Sequence, residues 1–405
     1  MKRLLLTAAA AVLIFSAVPP TYSYAENNSD SLQLVCKVEN KQVCITECRS
    51  SNIAKLVIPE TYEGLPVTSI GKNAFLGNTG ITSCVIPDSV KSIDEWAFAA
   101  CPNLSSVSIG SGVSMISDYA FTTCPKLTSF AVSKDNPDYT AVNSCLYNKS
   151  GDTLIAYAGD SNASVSDNTK TIGRAAFFGR EDIVSVSLPD GLTAIGDTAF
   201  SGCLSLKTAD IPDSVKKLGS GCFMSCTSLR SVNLGKSLSV IPKNCFHSCS
   251  ALTTVNISDS VTAVENDAFF SCSALSGIFI PPTVKTIGND AFGKRYDIRG
   301  DSTVNITDFI IMGEAGSAAE EYAGTQGITF TIPRFSRGDV NGDRRVDAVD
   351  ASAVLKEYAL RSAGKKSEFT DVQSAAADWN GDKKLDSVDA SAILAAYVKQ
   401  QTLYR

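Results

Sequence analysis

Ile195-Gly196-Asp197-Thr198-Ala199-Phe200-Ser201-Gly202-Cys203-Leu204-Ser205-Leu206-Lys207-Thr208-Ala209-Asp210-Ile211-Pro212 is the stretch that decides the fold. Its central phenylalanine recurs as Phe75, Phe98 and Phe121, then as Phe177, Phe200, Phe223, Phe246, Phe269 and Phe292, with every step inside a group equal to 23 residues. A fixed period of this length means stacked coils. No single coil can cover its own apolar positions, so each buries them against its neighbours. The segment after Leu206 reads as a short strand, and Pro212 ends it because proline donates nothing to a ladder. Ile86-Pro87 and Ile280-Pro281 repeat that stop. Parallel strands from successive coils are expected to form one long sheet. The regular Leu, Ile and Val positions assign the class: an α/β repeat solenoid of the leucine-rich kind, with a parallel β-sheet.

The same periodicity accounts for most of the 13 cysteines. Cys101, Cys124, Cys203, Cys226, Cys249 and Cys272 each lie three residues after a repeat phenylalanine. Cys222 and Cys245 lie one residue before it, where seven other repeats carry alanine. Both slots ask for a small, buried, weakly polar side chain, which a free thiol supplies. No pair of Cys-x-x-Cys motifs at zinc spacing is present. Cys36, Cys44 and Cys48, in the first hairpin, are the disulfide candidates. Between Phe121 and Phe177 the spacing is one period plus 33 residues. The excess, within 133–171, holds two β-rich runs, Ser144–Asn148 and Thr153–Tyr157, around Gly151, which predicts a hairpin bulging from the solenoid.

Ile58-Pro59-Glu60-Thr61-Tyr62-Glu63-Gly64-Leu65-Pro66-Val67-Thr68-Ser69-Ile70-Gly71, the Ile-Gly-x-x-Ala-Phe unit and the 146–157 insertion together resemble the BspA-type leucine-rich repeat family. The likeness spans about residues 32–333. It implies a closing cap over 301–333, with a short helix at 316–323 and a last strand at 327–330. It also implies an extracellular scaffold for adhesion or protein binding, with no reaction attached to it. Two strand columns are expected to face outward: Ser83, Ser106, Ser129, Ser185, Thr208, Ser231, Thr254, Gly277, and Val85, Ser108, Ala131, Ser187, Asp210, Asn233, Asn256, Phe279.

The ends of the chain read differently. Met1-Lys2-Arg3, the apolar run Leu4–Val18 and the small residues before Ala25 form a signal peptide over 1–25, so the protein is expected to be secreted. No other run is long and apolar enough to span a membrane. After the solenoid (26–333) and a short linker (334–336), the residues from 337 to 405 carry a duplication. Asp339, Asn341, Asp343, Asp347 and Asp350 recur as Asp378, Asn380, Asp382, Asp386 and Asp389, and 12 of the first 20 positions of the two copies are identical. Oxygen donors at positions 1, 3, 5, 9 and 12, with the backbone carbonyl of position 7 (Arg345, Lys384), are the ligand set of a twelve-residue calcium loop. Two loops predict two calcium ions. Each loop should run into an amphipathic helix, Ala351–Leu360 and Ala390–Lys399. Position 6, usually glycine in such EF-hand loops, is Arg344 and Lys383, and a left-handed turn there costs about 1 kcal/mol.

A duplicated calcium loop with one helix each resembles a type I dockerin, a small all-α calcium-binding unit that plugs into the cohesin domain of a scaffoldin in a cellulosome. The resemblance implies cohesin contacts at Ala348, Val349, Leu355, Lys356 and Leu360, and at Ser387, Val388, Leu394, Ala395 and Lys399. The near-identity of the copies suggests two docking orientations, while Lys356/Ala395 and Leu360/Lys399 argue against full equivalence.

Composition narrows what remains. There are 36 Lys and Arg against 42 Asp and Glu, a net charge of −6 that becomes −8 once Lys2 and Arg3 are removed. An acidic chain lacks the basic footprint of a nucleic-acid binder. The single histidine, His247, sits where the other repeats vary freely, so His-dependent catalysis finds no support. Paired carboxylates of a glycosidase are not evident among acids locked to repeat turns. The expected function is thus a secreted, non-catalytic component docked to a scaffoldin, presenting a repeat surface to an unknown protein or cell-surface ligand. The alternatives are an adhesin or regulator of other cells or proteins, and an accessory enzyme of polysaccharide catabolism.

Overall fold

The structure is a computed structural model that describes residues 32–333, 337–342 and 345–403, without the side chains of 371, 372 and 400–403. The leader over 1–25, the linker 334–336, Asp343 and Arg344 lie outside the described residues.

Each coil of the solenoid has two short strands and a tight turn that carries the phenylalanine. The first strand row runs through Lys55–Val57, Ser83–Ile86, Ser106–Ile109 and Ser129–Val132, all parallel. It resumes as Asn162–Ser164 and Ser185–Ser187, then as Thr208–Asp210, Ser231–Asn233 and Thr254–Asn256 with Thr208 opposite Ser231 opposite Thr254, the 23-residue period made visible as register. Burial alternates along these strands: Cys84 and Ile86 point inward while Ser83 and Val85 face out. The second row is built of two-residue strands such as Thr171–Ile172, Ala194–Ile195 and Lys217–Leu218. Within the coils turns do the work that helices do in longer repeats.

The phenylalanines form a buried stack. Phe75, Phe98 and Phe121 follow one another at ring distances of 4.8 and 5.4 Å, and Phe177 to Phe292 continue at 4.6–5.5 Å. Each such pair contributes about 0.5–1.5 kcal/mol beyond area burial. The residue two before each phenylalanine is left-handed, which suits Asn73, Asn244, Asp267 and Asp290. Trp96 and Tyr119 occupy the same slot at φ near +60°, a bulky residue's least favoured choice, and stack on each other at 4.5 Å.

The insertion divides the core into two clusters. Tyr139–Val142, Cys145–Asn148 and Thr153–Ala156 pair antiparallel, so the expected hairpin around Gly151 exists and gains a third strand. Tyr157 takes the place of the absent phenylalanine, stacked on Phe177 at 4.5 Å. Arg180 stands in the cysteine slot of the next coil. Its buried guanidinium reaches the carbonyls of Leu127, Tyr157 and Gly159 and pairs with Asp182 at 2.9 Å. Tyr119 adds a second tie, its hydroxyl 2.8 Å from Thr198 Oγ1.

The first hairpin, Leu34–Glu39 with Gln42–Cys48, corrects one expectation. Its cysteines are free thiols, and the register sets Cys36 opposite Ile45 and Cys44 opposite Lys37. Adjacent cross-strand pairs face opposite sides of a sheet, so Cys36 and Cys44 point apart. At the other end, helix α1 (Ala318–Gln326) and the strand Thr329–Thr331 close the solenoid. Tyr322 of α1 sits edge-on to Phe292, and its hydroxyl bonds the Phe292 amide and carbonyl at 2.9 and 3.1 Å.

Three further helices follow: α2 (Ala348–Ser362), α3 (Asp371–Ala377) and α4 (Ser387–Leu403). Helices α2 and α4 pack around Val340, Ala351, Val354, Ala376, Ala377, Ala390 and Ile393. Helix α3 falls in the connection, where no helix was expected. Among the described residues no helix is long and apolar enough to cross a membrane.

Candidate metal and docking site

The two loops fold alike down to single hydrogen bonds. In loop one the fully buried Asp350 accepts from the Val340, Asn341 and Asp347 amides at 2.9, 3.3 and 3.0 Å. In loop two the fully buried Asp389 accepts from Trp379, Asn380 and Asp386 at the same three distances. Asp347 and Asp386 cap their helices through the Val349 and Val388 amides at 2.8 and 2.7 Å. Asp339 and Asp378 accept from Gly342 and Gly381 at 2.7 and 2.8 Å. Each twelfth-position carboxylate therefore ties the loop's start to its end. Lys383 has φ of +64°, the left-handed turn expected at position 6.

The remaining sequence-assigned donors lie along the same loops. Asn380 is half-buried beside Asp382, its amide nitrogen 3.1 Å from Asp382 Oδ2, while Asn341, Arg345, Asp382 and Lys384 are exposed. Among the described residues no three acidic, histidine or cysteine side chains gather closely enough to hold one ion. The carboxylates of loop two are turned instead onto amides of their own loop; Asp378 also accepts from Asp382 and Lys383. The donor set still suits a hard cation: aspartate and asparagine oxygens at alternate positions around a preformed turn. Burial pushes the Asp350 carboxyl above its ordinary value, opposed by its three amide donors and reinforced by Asp339. A calcium ion held in this loop would supply the positive charge that such a buried carboxylate requires.

The ten residues expected to meet a cohesin lie on the first turns and outer faces of α2 and α4. Val349 and Val388 are 60% and 56% exposed, and Leu355 and Leu394 46% and 44%. Ala348, Lys356, Ser387, Ala395 and Lys399 are exposed and Leu360 is half-exposed. Lys356 is engaged with Glu368 at 2.6 Å. Tyr358 and Val398 extend the apolar faces and were not among the expected contacts. Their signal was available: Tyr358 sits three residues after Leu355 on one helical face.

On the solenoid, Val57, Val85, Ser108 and Ala131 floor a groove of about 620 Å³ edged by Glu60 and Asp88. Its floor lies in the outward column expected from the sequence, apart from Val57, one coil earlier. His247 is half-buried, stacked on Phe270 at 5.1 Å with Nδ1 2.9 Å from Ser248 Oγ. Burial lowers its pKa, with Asp267 opposing.

A family model described as "BspA type Leucine rich repeat region" matches residues 44–154 and 170–299, leaving out the part of the insertion between them. A second, "Dockerin type I domain", matches residues 337–398. Among solved structures the chain is similar to a leucine-rich repeat protein from Eubacterium ventriosum, 21% identical, with a TM-score of 0.46 over 65% of this chain and 86% of that one. It is also similar to a leucine-rich cell surface protein from Faecalibacterium prausnitzii, 20% identical, with a TM-score of 0.37 over 76% of this chain and 98% of that one. No curated protein matches the chain. A type I dockerin is a calcium-binding, cohesin-docking module, and a leucine-rich solenoid is a protein-binding scaffold. The chain belongs to the BspA-type leucine-rich repeat family, and it ends in a type I dockerin domain.

Proposed function

We propose that the protein is a secreted, non-catalytic component of a cellulosome-type assembly. Its dockerin holds two calcium ions, one per loop, through Asp339, Asn341, Asp343, Arg345, Asp347 and Asp350 and through Asp378, Asn380, Asp382, Lys384, Asp386 and Asp389. The loops thereby fix α2 and α4, whose exposed Val349, Leu355, Val388 and Leu394 enter a cohesin of the scaffoldin. One observation carries this reading: two loop–helix units with the same hydrogen bonds present equivalent apolar side chains at equivalent exposure. Such a repeated face supports docking in two orientations. The test changes Ala348-Val349 and Ser387-Val388 to aspartates in separate full-length proteins. Each alone should leave binding within about tenfold, and both together should abolish it. Loss from either single change would limit docking to one orientation.

The groove on the solenoid favours a further reading, in which the repeat surface itself binds a protein or cell-surface ligand, as an adhesin or regulator does. A largely apolar floor with acidic edges fits an apolar segment flanked by cationic residues. Val85→Arg and Ala131→Arg should remove capture of such a ligand while leaving cohesin binding unchanged. Retention of the ligand would place its site elsewhere on the solenoid.

A further inference from the structure

Eight cysteines occupy two repeat slots, and the slots differ in what the thiols touch. In the slot after the phenylalanine, Cys101, Cys124, Cys203, Cys226, Cys249 and Cys272 each donate to the phenylalanine carbonyl of the preceding coil, at 3.1–3.3 Å. That contact ties coil to coil and gives these thiols a structural task. The slot before the phenylalanine is alanine in seven coils, so stacking there requires no sulfur. Cys222 and Cys245 fill it in two coils that are direct neighbours, the Phe223 amide donating to the Cys245 carbonyl at 2.9 Å. Both side chains are fully buried, and their Sγ atoms face each other at 3.3 Å rather than a carbonyl.

Hydrogen-bonded neighbouring segments run about 4.8 Å apart. That separation falls within the ~4.4–6.8 Å between Cα atoms that a disulfide spans. Bringing the sulfurs to bonding distance takes about 1.2 Å of approach, which rotation about the two Cα–Cβ bonds can supply. We propose that Cys222 and Cys245 are a dithiol that closes to an inter-coil cystine as the coils assemble. One S–S bond forms between the two Sγ atoms. The two thiol protons and two electrons pass to an exchangeable disulfide of a thiol carrier, whose own S–S bond breaks to give two thiols. A mixed disulfide is the intermediate. Burial sets the order of events: the bond closes before the neighbouring coils cover the pair and is shielded from reductant afterwards. Burial also raises the Cys245 thiol's pKa, which suppresses the attacking thiolate in the closed solenoid.

The test refolds the reduced full-length chain with calcium in a mixture of reduced and oxidised glutathione. Thiols are then alkylated in denaturant and mapped by mass spectrometry. The same map is made on chain exported to a bacterial periplasm, so poor refolding in vitro does not decide the outcome. The expected result is one cross-link, Cys222 to Cys245, at least tenfold above any other pair. The six carbonyl-bonded thiols should be alkylated. The Cys222→Ala/Cys245→Ala protein carries the residue that seven other coils use and should fold without the cross-link. Alkylation of both Cys222 and Cys245 in folded wild-type chain overturns the proposal. So does equal yield of a Cys101–Cys124 or Cys226–Cys249 bridge, the neighbouring pairs within the carbonyl-bonded column.

Discussion

Arg180 stands where six other coils carry cysteine, and the exchange follows from what lies behind it. A cysteine reaches a carbonyl of the coil directly beneath. Behind Arg180 the chain has made its three-stranded detour, and the carbonyls of Leu127, Tyr157 and Gly159 lie farther off. A long planar donor spans that distance and stacks over Tyr157 at 5.2 Å. Arg180→Ala should destabilise the solenoid by about 3–5 kcal/mol, the cost of stranding buried carbonyl acceptors together with the half-buried Asp182. Urea unfolding of the full chain measures it. Cys226→Ala should cost only about 1 kcal/mol, since the Phe200 carbonyl keeps the Cys203 amide at 3.1 Å. The cysteine slots were legible because periodicity alone defines them. Arg180's role was not, because it depends on where an insertion puts its carbonyls in space.

At the level of elements, period and capping chemistry decided what could be read. Helix α2 starts at Ala348 rather than Ala351 because Asp347 and Asp350 form a reciprocal capping box, which brings loop positions 10 and 11 into the first helical turn. Helix α3 escaped because it has only seven residues and no apolar stripe; Thr370 and Gln373 make a capping box that marked its start. Glu357 of α2 holds the loop before α3. Its buried carboxylate takes Arg361 at 2.7 Å and the Glu368 amide at 3.0 Å, and bonds Ser367 Oγ. Burial pushes this carboxyl up, but the bonds to Ser367, Arg361 and Glu368 outweigh it and leave its pKa below the ordinary value. The unfolded pKa is about 4.3, so the stabilisation is present above that pH and lost as pH falls through the lower folded value. Glu357→Gln should cost about 1–3 kcal/mol at neutral pH and flatten that acid dependence, read from the melting of α2 and α4 by circular dichroism.

Across the whole molecule, two bodies of unequal self-sufficiency share one chain. The solenoid buries two long clusters of phenylalanine, leucine and isoleucine, one on each side of the insertion, so it holds itself together. Among the described residues the dockerin core fully buries seven small or medium apolar side chains, few for a unit of its size to stand on packing alone. Binding free energy of calcium then becomes folding free energy. Chelation with EDTA should remove helical circular dichroism from residues 337–405 while the β signal of the solenoid persists. An unchanged helical signal would mean the small core suffices. Charge divides in the same way. Residues 337–405 hold 11 basic and 11 acidic side chains, so the excess acid of the chain lies in the solenoid.

The dockerin is proposed to tie the solenoid to a scaffoldin. Binding of the full-length protein to a panel of immobilised cohesins, in calcium and then in EDTA, addresses it most directly. Submicromolar binding to at least one cohesin in calcium, lost in EDTA, is the expected result. Binding to none in calcium, or binding that EDTA leaves intact, would contradict it.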